Sequence, residues 1–132
     1  MKLSTPHIIK SDVNAINKVL KSGWISTSSG EVYNFEKKLS SFCKTKYSVA
    51  LNSGTSAIHL GLKILGVKKN CEVIVPSLTF IATVNPILYL GADPLIFDVD
   101  QDHNLKIKDV IDFINHRTNF KNGKTINKKT KK

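Results

Sequence analysis

A short turn of small polar residues carries the binding chemistry that is easiest to identify in this sequence. In "NSGTSAIHL" (Asn52–Leu60), the turn separates an apolar run from an amphipathic helix pattern. At a helix N-terminus, unpaired N–H groups, the helix dipole and hydroxyl side chains can converge on an anion such as phosphate. Without a ligand, Ser53 would simply cap the helix and Gly54 would turn the chain. The turn matches neither the Walker-type phosphate loop nor the GxGxxG pattern.

The remaining reactive side chains form no recognisable catalytic or metal-binding set. Cys43 and Cys71 lack metal-ligand spacing, so we interpret them as free thiols in a reducing cytoplasm. The four histidines are scattered, with no Cys, Asp or Glu at ligand spacing, and no metal site is predicted. Asp98 and Asp100 alternate at a strand end, so they would face the same side. We interpret them as capping or turn residues rather than as a catalytic carboxylate pair.

Apolar periodicity predicts a helical arm followed by an α/β region. Ser11 is placed to cap the first helix, Gly23 to end it, and Pro86 to kink or divide a later one. Downstream, short apolar strands alternate with helices, which indicates βαβ units around a mainly parallel sheet. The predicted helices are Ser11–Lys21, Glu31–Cys43, Thr55–Gly66, Thr79–Leu90 and Ile107–Ile114, and the predicted strands are Tyr47–Leu51, Glu72–Pro76 and Pro94–Asp100.

The positive charge of the chain is concentrated at its end. The 132 residues indicate one domain at most, with a net charge of +10. Residues 117–132 hold seven of the 20 basic residues and no acid, so residues 1–116 carry only +3. We predict a domain over 1–116 and a basic, disordered tail over 117–132, with nucleic-acid binding by the tail as an alternative. No membrane span or secretory signal is visible, so a cytoplasmic location is predicted.

Four motifs together resemble one enzyme family. "SGWIST", "NSGTSAIHLGL", "EVIVPSLTFIATVN" and "GADPLIFDVD" follow one another across about 110 residues. They resemble the sugar-nucleotide aminotransferases of the DegT/StrS type, which are fold-type I pyridoxal phosphate enzymes. The nearest likeness is to enzymes that aminate UDP-linked keto-sugars in bacillosamine or legionaminic acid synthesis. The resemblance implies a pyridoxal-phosphate-transferase-like large domain, of which this chain is the N-terminal portion, and a homodimeric full-length enzyme.

The resemblance also implies roles for individual residues. Gly54, Thr55 and Ser56 would hold the cofactor phosphate, and Phe80 would stack on the pyridine ring. The loop containing Trp24, Ser26 and Thr27 would lie near the nucleotide-sugar site or the partner subunit. Judged alone, an aromatic residue such as Phe80 would more often be a core residue, and Trp24 could equally pack the arm on the body.

Two catalytic groups of the family are absent from this sequence. The acid that keeps the pyridine nitrogen protonated lies in an "EDAAQ"-like stretch of the family, and the Schiff-base lysine follows it. Neither stretch occurs here, and Lys63, Lys68 and Lys69 are interpreted as exposed helix or loop residues. We therefore expect the isolated chain to be inactive and to leave a strand edge and apolar faces uncovered.

Several functions follow as hypotheses. The first is a portion of an aminotransferase that moves an amino group, usually from glutamate, to a keto-sugar nucleotide in cell-surface polysaccharide synthesis. The second is a non-catalytic module that binds a phosphorylated ligand. A sugar dehydratase of the same family, in which histidine replaces the lysine, is a further alternative. The sequence leaves the sugar, the nucleotide and the donor open.

Overall fold

The computed structural model describes residues 4–132 and contains five helices and four strands in that range. The chain divides into two units, one ending at Ala50 and the other spanning Leu51–Lys132. The first unit holds α1 and α2, and the second holds the remaining elements. In chain order the elements are α1 (Lys10–Ser22), α2 (Gly30–Cys43), α3 (Gly54–Ile64), β1 (Glu72–Pro76), α4 (Ile81–Tyr89), β2 (Asp93–Phe97), α5 (Ile107–Arg117), β3 (Thr118–Lys121) and β4 (Lys124–Asn127).

The first unit consists of two helices and an extended segment. Ser11 was predicted to cap α1 and lies instead inside the helix; Ile9 is the N-cap, and its N–H donates to the Asp12 carboxylate at 3.0 Å. Gly23 ends α1 with a φ of 69°, a left-handed conformation that glycine adopts without strain. The apolar stripe of α1 remains exposed, as expected for an uncovered face.

The segment preceding Leu51 is not a strand, contrary to the prediction for Tyr47–Leu51. The N–H of Ala50 donates to the Glu36 carboxylate at 2.8 Å, and the Ser48 hydroxyl donates to the Glu36 carbonyl oxygen. A strand requires a neighbouring strand to accept its backbone hydrogen bonds. Here α2 provides the partner instead, so an apolar run alone was insufficient to predict a ladder.

The second unit is built around a parallel β1–α4–β2 motif. The two strands pair in register from Glu72 with Asp93 to Pro76 with Phe97, which confirms the predicted parallel pairing. Helix α4 continues through Pro86 without interruption. Its inner side forms a small core with the sheet and α3, made of Val75, Ile87 and Ala92, with Leu62, Val67, Cys71, Val73 and Val84 packed around them. On α5, Phe113 contacts Phe97 edge to face at a centroid distance of 5.3 Å.

The region predicted as a disordered tail contains an antiparallel hairpin formed by β3 and β4. Its two-residue turn is Asn122–Gly123, and both residues have positive φ angles, of 54° and 75°. Asn-Gly favours this hairpin turn because both residues tolerate the left-handed region. The hairpin is attached to the sheet, since the Asn127 amide donates to the Glu72 carboxylate at 2.8 Å. None of the helices within residues 4–132 is long and apolar enough to cross a membrane.

Candidate anion-binding site

The predicted phosphate turn forms the start of α3. Ser53 is the N-cap, and its hydroxyl oxygen accepts the N–H of Ser56 at 3.1 Å. The Ser53 carbonyl oxygen accepts the N–H of Ala57, also at 3.1 Å. The N–H groups of Gly54 and Thr55 belong to the first turn and therefore have no acceptor within the helix. These two backbone donors are available to an external anion at the positive end of the helix dipole.

The hydroxyl groups beside these donors already bond to one another. The Ser56 hydroxyl donates to the side-chain oxygen of Asn52 at 2.8 Å, and the Ser53 and Ser56 hydroxyl oxygens lie 3.0 Å apart. A hydroxyl has one proton to donate, so Ser53 must be the donor in the second of these bonds. The two serine protons are thus directed inward, and Asn52 holds the Ser56 side chain in place.

Gly54 is not required for the backbone conformation of the turn, contrary to the sequence interpretation. It has no left-handed φ, and an added Cβ would meet nothing within 4 Å. The fold therefore tolerates a side chain at this position. Because glycine carries no side chain, a ligand can approach the backbone of this turn closely.

Phe80 lies at the N-cap of α4 and is 79% exposed, so it is not a core residue. Helices α3 and α4 pack against each other. Their C-terminal connections lie together, because Gly91 faces Lys69 and the N–H of Asp93 donates to the Cys71 carbonyl oxygen at 3.0 Å. Both helices consequently begin towards the carboxyl edge of β1 and β2, where α/β proteins bind their ligands.

The carboxyl ends of the two parallel strands are joined by a polar contact. The Ser77 hydroxyl donates to the Asp98 carboxylate at 3.3 Å, and the same carboxylate oxygen accepts the N–H of Val99 at 2.8 Å. Asp100 accepts the N–H groups of Asp102 and Asn104, which confirms a turn role. The two aspartates are thus occupied by local backbone donors, as the sequence indicated.

The predicted substrate loop belongs to the first unit. Trp24 is 61% exposed and lines a pocket of about 180 Å³ at the N-terminus of α2. Ser26 stabilises the loop, since its hydroxyl oxygen accepts the N–H of Ser28 and its carbonyl oxygen accepts the N–H of Ser29. Thr27 is exposed and does not line the pocket. Sequence reasoning missed the other lining residues, which include Lys18, Ser29 and Asn34, because the pocket forms only when the loop brings α1 and α2 together.

Lys106 and Asp109 form an ion pair at the start of α5, with 3.0 Å between their charged atoms. The pKa of Lys106 is raised, chiefly by its hydrogen bond to Asp109 and by the negative charge of that residue. Across the part of the chain that the structure describes, no group of three or more His, Cys, Asp or Glu side chains could hold a metal ion. The groups that the candidate site presents to a ligand are backbone donors and an exposed aromatic ring.

Comparison with known proteins identifies the family. The model of the DegT/DnrJ/EryC1/StrS aminotransferase family matches residues 6–126. The chain belongs to this family. The resemblance drawn from the four sequence motifs is thereby confirmed, together with the α/β fold class.

Two relatives of this DegT-family chain act on different nucleotide sugars according to their names. GDP-perosamine synthase of Escherichia coli O157:H7 is 35% identical over 114 residues, covering 86% of this chain and 31% of the relative. UDP-4-amino-4-deoxy-L-arabinose–oxoglutarate aminotransferase of Shewanella sediminis is 39% identical over 103 residues, covering 78% of this chain and 26% of the relative. The chain thus spans about a third or less of the length of these relatives.

A solved structure supports the fold assignment. Spr1654 of Streptococcus pneumoniae, determined in PMP and PLP forms, superposes on this DegT-family chain with a TM-score of 0.73 and 32% identity. In the PMP form, the match covers 82% of this chain and 27% of Spr1654. The architecture described above is therefore that of one part of a larger family fold.

Proposed function

We propose that this chain forms the phosphate-binding portion of a pyridoxal-phosphate-dependent aminotransferase that aminates a keto-sugar nucleotide. The observation that carries the proposal is the pair of free N–H groups at Gly54 and Thr55. They lie at a helix N-terminus beside the carboxyl edge of a parallel sheet, where backbone donors suit a phosphate dianion. Membership of the family and the PLP form of Spr1654 support the choice of cofactor.

The residues at the edge of the sheet fit the two ends of the cofactor. Gly54 and Thr55 would hold the phosphate through their N–H groups, and Ser56 would contribute its hydroxyl if it turned away from Asn52. Phe80 would cover one face of the pyridine ring, since its side chain is exposed at the start of α4. Pyridoxal phosphate supplies an electron sink for chemistry at the amino-bearing carbon. The residues named here bind and orient it.

The wider activity follows from the family. We propose glutamate as the amino donor and a homodimer as the assembly of the full-length enzyme. Trp24, Ser26 and Thr27 are proposed to lie near the nucleotide-sugar substrate, and the product would serve cell-surface polysaccharide synthesis in the cytoplasm. The names of the two relatives contain GDP and UDP, so the proposal includes both nucleotides.

We also propose that the 132-residue chain does not transaminate by itself. Every lysine from Lys10 to Lys131 is exposed, and Lys132 pairs with Asp93. A lysine that bonds covalently to a cofactor needs a shaped, partly desolvated environment. The purified chain should therefore show no amino transfer from glutamate to a keto-sugar nucleotide, and measurable turnover would contradict this part of the proposal.

Binding of the cofactor phosphate can be tested without interference from surface lysines. Pyridoxine 5′-phosphate lacks the aldehyde of pyridoxal phosphate and so cannot form imines. In equilibrium dialysis we expect it to bind at least about tenfold more tightly than pyridoxine, because only the phosphate reaches the free N–H groups. Equal binding of the two compounds would refute phosphate recognition.

A matched pair of glycine variants locates the site. Gly54→Ala places a methyl group over the free N–H groups, whereas Gly61→Ala changes another α3 glycine whose Cβ also meets nothing within 4 Å. We expect Gly54→Ala to weaken binding of pyridoxine 5′-phosphate by about fivefold or more, while Gly61→Ala leaves it unchanged. Equal effects of the two variants would show that α3 does not bind the phosphate at its N-terminus.

A further inference from the structure

We infer that the pocket at the N-terminus of α2 is a second anion site that binds one phosphoryl group. This pocket, lined by Lys18, Val19, Ser22, Trp24, Ser29, Gly30, Glu31 and Asn34, has a volume of about 180 Å³. It is independent of the proposed cofactor site, because it lies in the first unit and the Gly54 turn lies in the second. Phosphate binding in this pocket can therefore be tested separately from cofactor binding at the Gly54 turn.

Ser29 is the observation that points to a ligand. It is only 8% exposed and is the N-cap of α2, yet its side chain makes no capping hydrogen bond. Its hydroxyl bonds to no other residue within 4–132, although it lines the pocket. No fully enclosed side-chain polar atom in the described range lacks a partner, so this hydroxyl remains accessible from the pocket. The hydroxyl of this largely buried residue is thus a donor that no described side chain or carbonyl group uses and that faces the pocket.

The backbone around Ser29 supplies further donors. Because the Ser29 side chain does not cap α2, the N–H groups of Glu31 and Val32, which an N-cap side chain would serve, are left without its oxygen as an acceptor. The N–H of Gly30 lies in the same first turn and has no acceptor within the helix. The loop is preorganised by the two bonds from Ser26 to Ser28 and Ser29. An oxyanion at this helix end would accept from backbone and hydroxyl donors and would complement the helix dipole.

Charge and size restrict the ligand further. Lys18 contributes a cation, which favours a phosphoryl oxyanion, whereas the Glu31 carboxylate opposes it. A volume of 180 Å³ corresponds to roughly six water molecules, at about 30 Å³ each. Pockets that enclose a whole drug-sized ligand span about 300–1,000 Å³. The pocket therefore accepts one phosphoryl group and leaves the rest of a larger ester outside, beside Trp24.

Trp24 makes the inference directly measurable. It is the only tryptophan in the chain and lines the pocket, so its fluorescence reports on occupancy of this site. Inorganic phosphate titrated into the 132-residue chain at constant ionic strength should change the Trp24 emission and shift the amide signals of Gly30 and Glu31 in NMR spectra. An equal titration with chloride should not. Absence of both phosphate effects would overturn the inference.

Matched substitutions test which groups bind. Lys18→Met should weaken phosphate binding by about tenfold, while Lys21→Met, also near the end of α1 but outside the pocket, should have no effect. Ser29→Ala should weaken it by about threefold or more, with Ser28→Ala as its control. Glu31→Gln should strengthen binding by about threefold, because it removes a like charge. If the variants of pocket-lining residues and their control variants changed phosphate affinity equally, the proposed site would be wrong.

The source of the phosphoryl group is decided by three ligands. If UDP binds more tightly than inorganic phosphate and both depend on Lys18, the site takes a phosphate of a nucleoside diphosphate. If inorganic phosphate binds as tightly as UDP, the site takes free phosphate. If uridine, which has no phosphate, perturbs Trp24 as strongly as UDP, the base is recognised instead and the phosphoryl inference is wrong.

Discussion

The two serine N-caps differ in one hydrogen bond, and this difference gives a quantitative test of the structure. The Ser53 hydroxyl oxygen accepts the N–H of Ser56 at 3.1 Å, whereas the Ser29 side chain caps nothing. A serine cap that accepts such a bond contributes about 1 kcal/mol of helix stability. Ser53→Ala should therefore destabilise the start of α3 by ~1 kcal/mol, which corresponds to a factor of about five in the local opening equilibrium. Ser29→Ala has no cap bond to remove from α2.

Amide hydrogen exchange separates the two effects. In Ser53→Ala, the Ser56 amide should exchange about fivefold faster or more, because it loses its acceptor. In Ser29→Ala, the Val32 amide at the equivalent position of α2 should change by less than about twofold. With a urea m-value of about 2 kcal/mol/M, Ser53→Ala should also lower the midpoint for the second unit by ~0.5 M. If the Ser56 amide in Ser53→Ala and the Val32 amide in Ser29→Ala accelerated by the same factor relative to the parent protein, the assigned capping geometry would be wrong.

Three further substitutions probe the second unit. Asp109→Asn should lower the pKa of Lys106 towards its ordinary value of 10.5, which NMR titration of the Lys106 side chain would measure. In the parent protein, the stabilisation from this pair is present below pH 10.5 and is lost as the pH rises through the raised pKa of Lys106. Asn127→Ala should leave the Glu72 carboxylate without its amide donor and cost ~1 kcal/mol, and trypsin should then cleave the hairpin several-fold faster than in the parent. Phe113→Leu should keep most of the packing but lose the edge-to-face contact with β2, a loss of ~1 kcal/mol in urea unfolding, whereas a neutral result would show that the ring geometry contributes nothing.

The second unit was largely predictable because its strands are continuous apolar runs with clear ends. The strand Glu72–Pro76 matches its prediction to the residue, since a charged residue begins it and a proline closes it. The same logic failed for Tyr47–Leu51. An apolar run indicates burial, but the hydrogen-bond partner that makes a strand lies elsewhere in the chain, and here the Glu36 carboxylate occupies the Ala50 N–H.

The sequence analysis did not predict the hairpin, because it relied on the high lysine content rather than on the residues that favour a tight turn. Lysine density and lack of apolar periodicity favoured disorder, while Asn122–Gly123 already indicated a two-residue hairpin. The hydrogen bond of Asn127 to Glu72 and the ion pair of Lys132 with Asp93 attach this region to the sheet. These contacts join residues far apart in the sequence, so no short sequence pattern could predict them.

The two proposed anion sites differ in how far the sequence could locate them. The Ser53–Ser56 turn is contiguous, so its donors could be recognised from a few adjacent letters. The pocket at α2 requires Lys18 from one helix and Ser29 from the start of another. Its diagnostic feature is a hydrogen bond that Ser29 does not make, and the residue type alone predicts the opposite.

The parallel pairing of β1 with β2 also has a kinetic consequence. Each ladder pair joins residues 21 positions apart, as Glu72 and Asp93 do, and the core residues Val75, Ile87 and Ala92 lie within the same stretch. Parallel strand pairing is slower than helix formation, but even folds rich in non-local strand pairs form within roughly milliseconds to seconds. A ribosome adds roughly 5–20 residues per second. The β1–α4–β2 segment therefore has time to begin folding as it emerges during synthesis, before later parts of the chain are available to compete for its apolar surface.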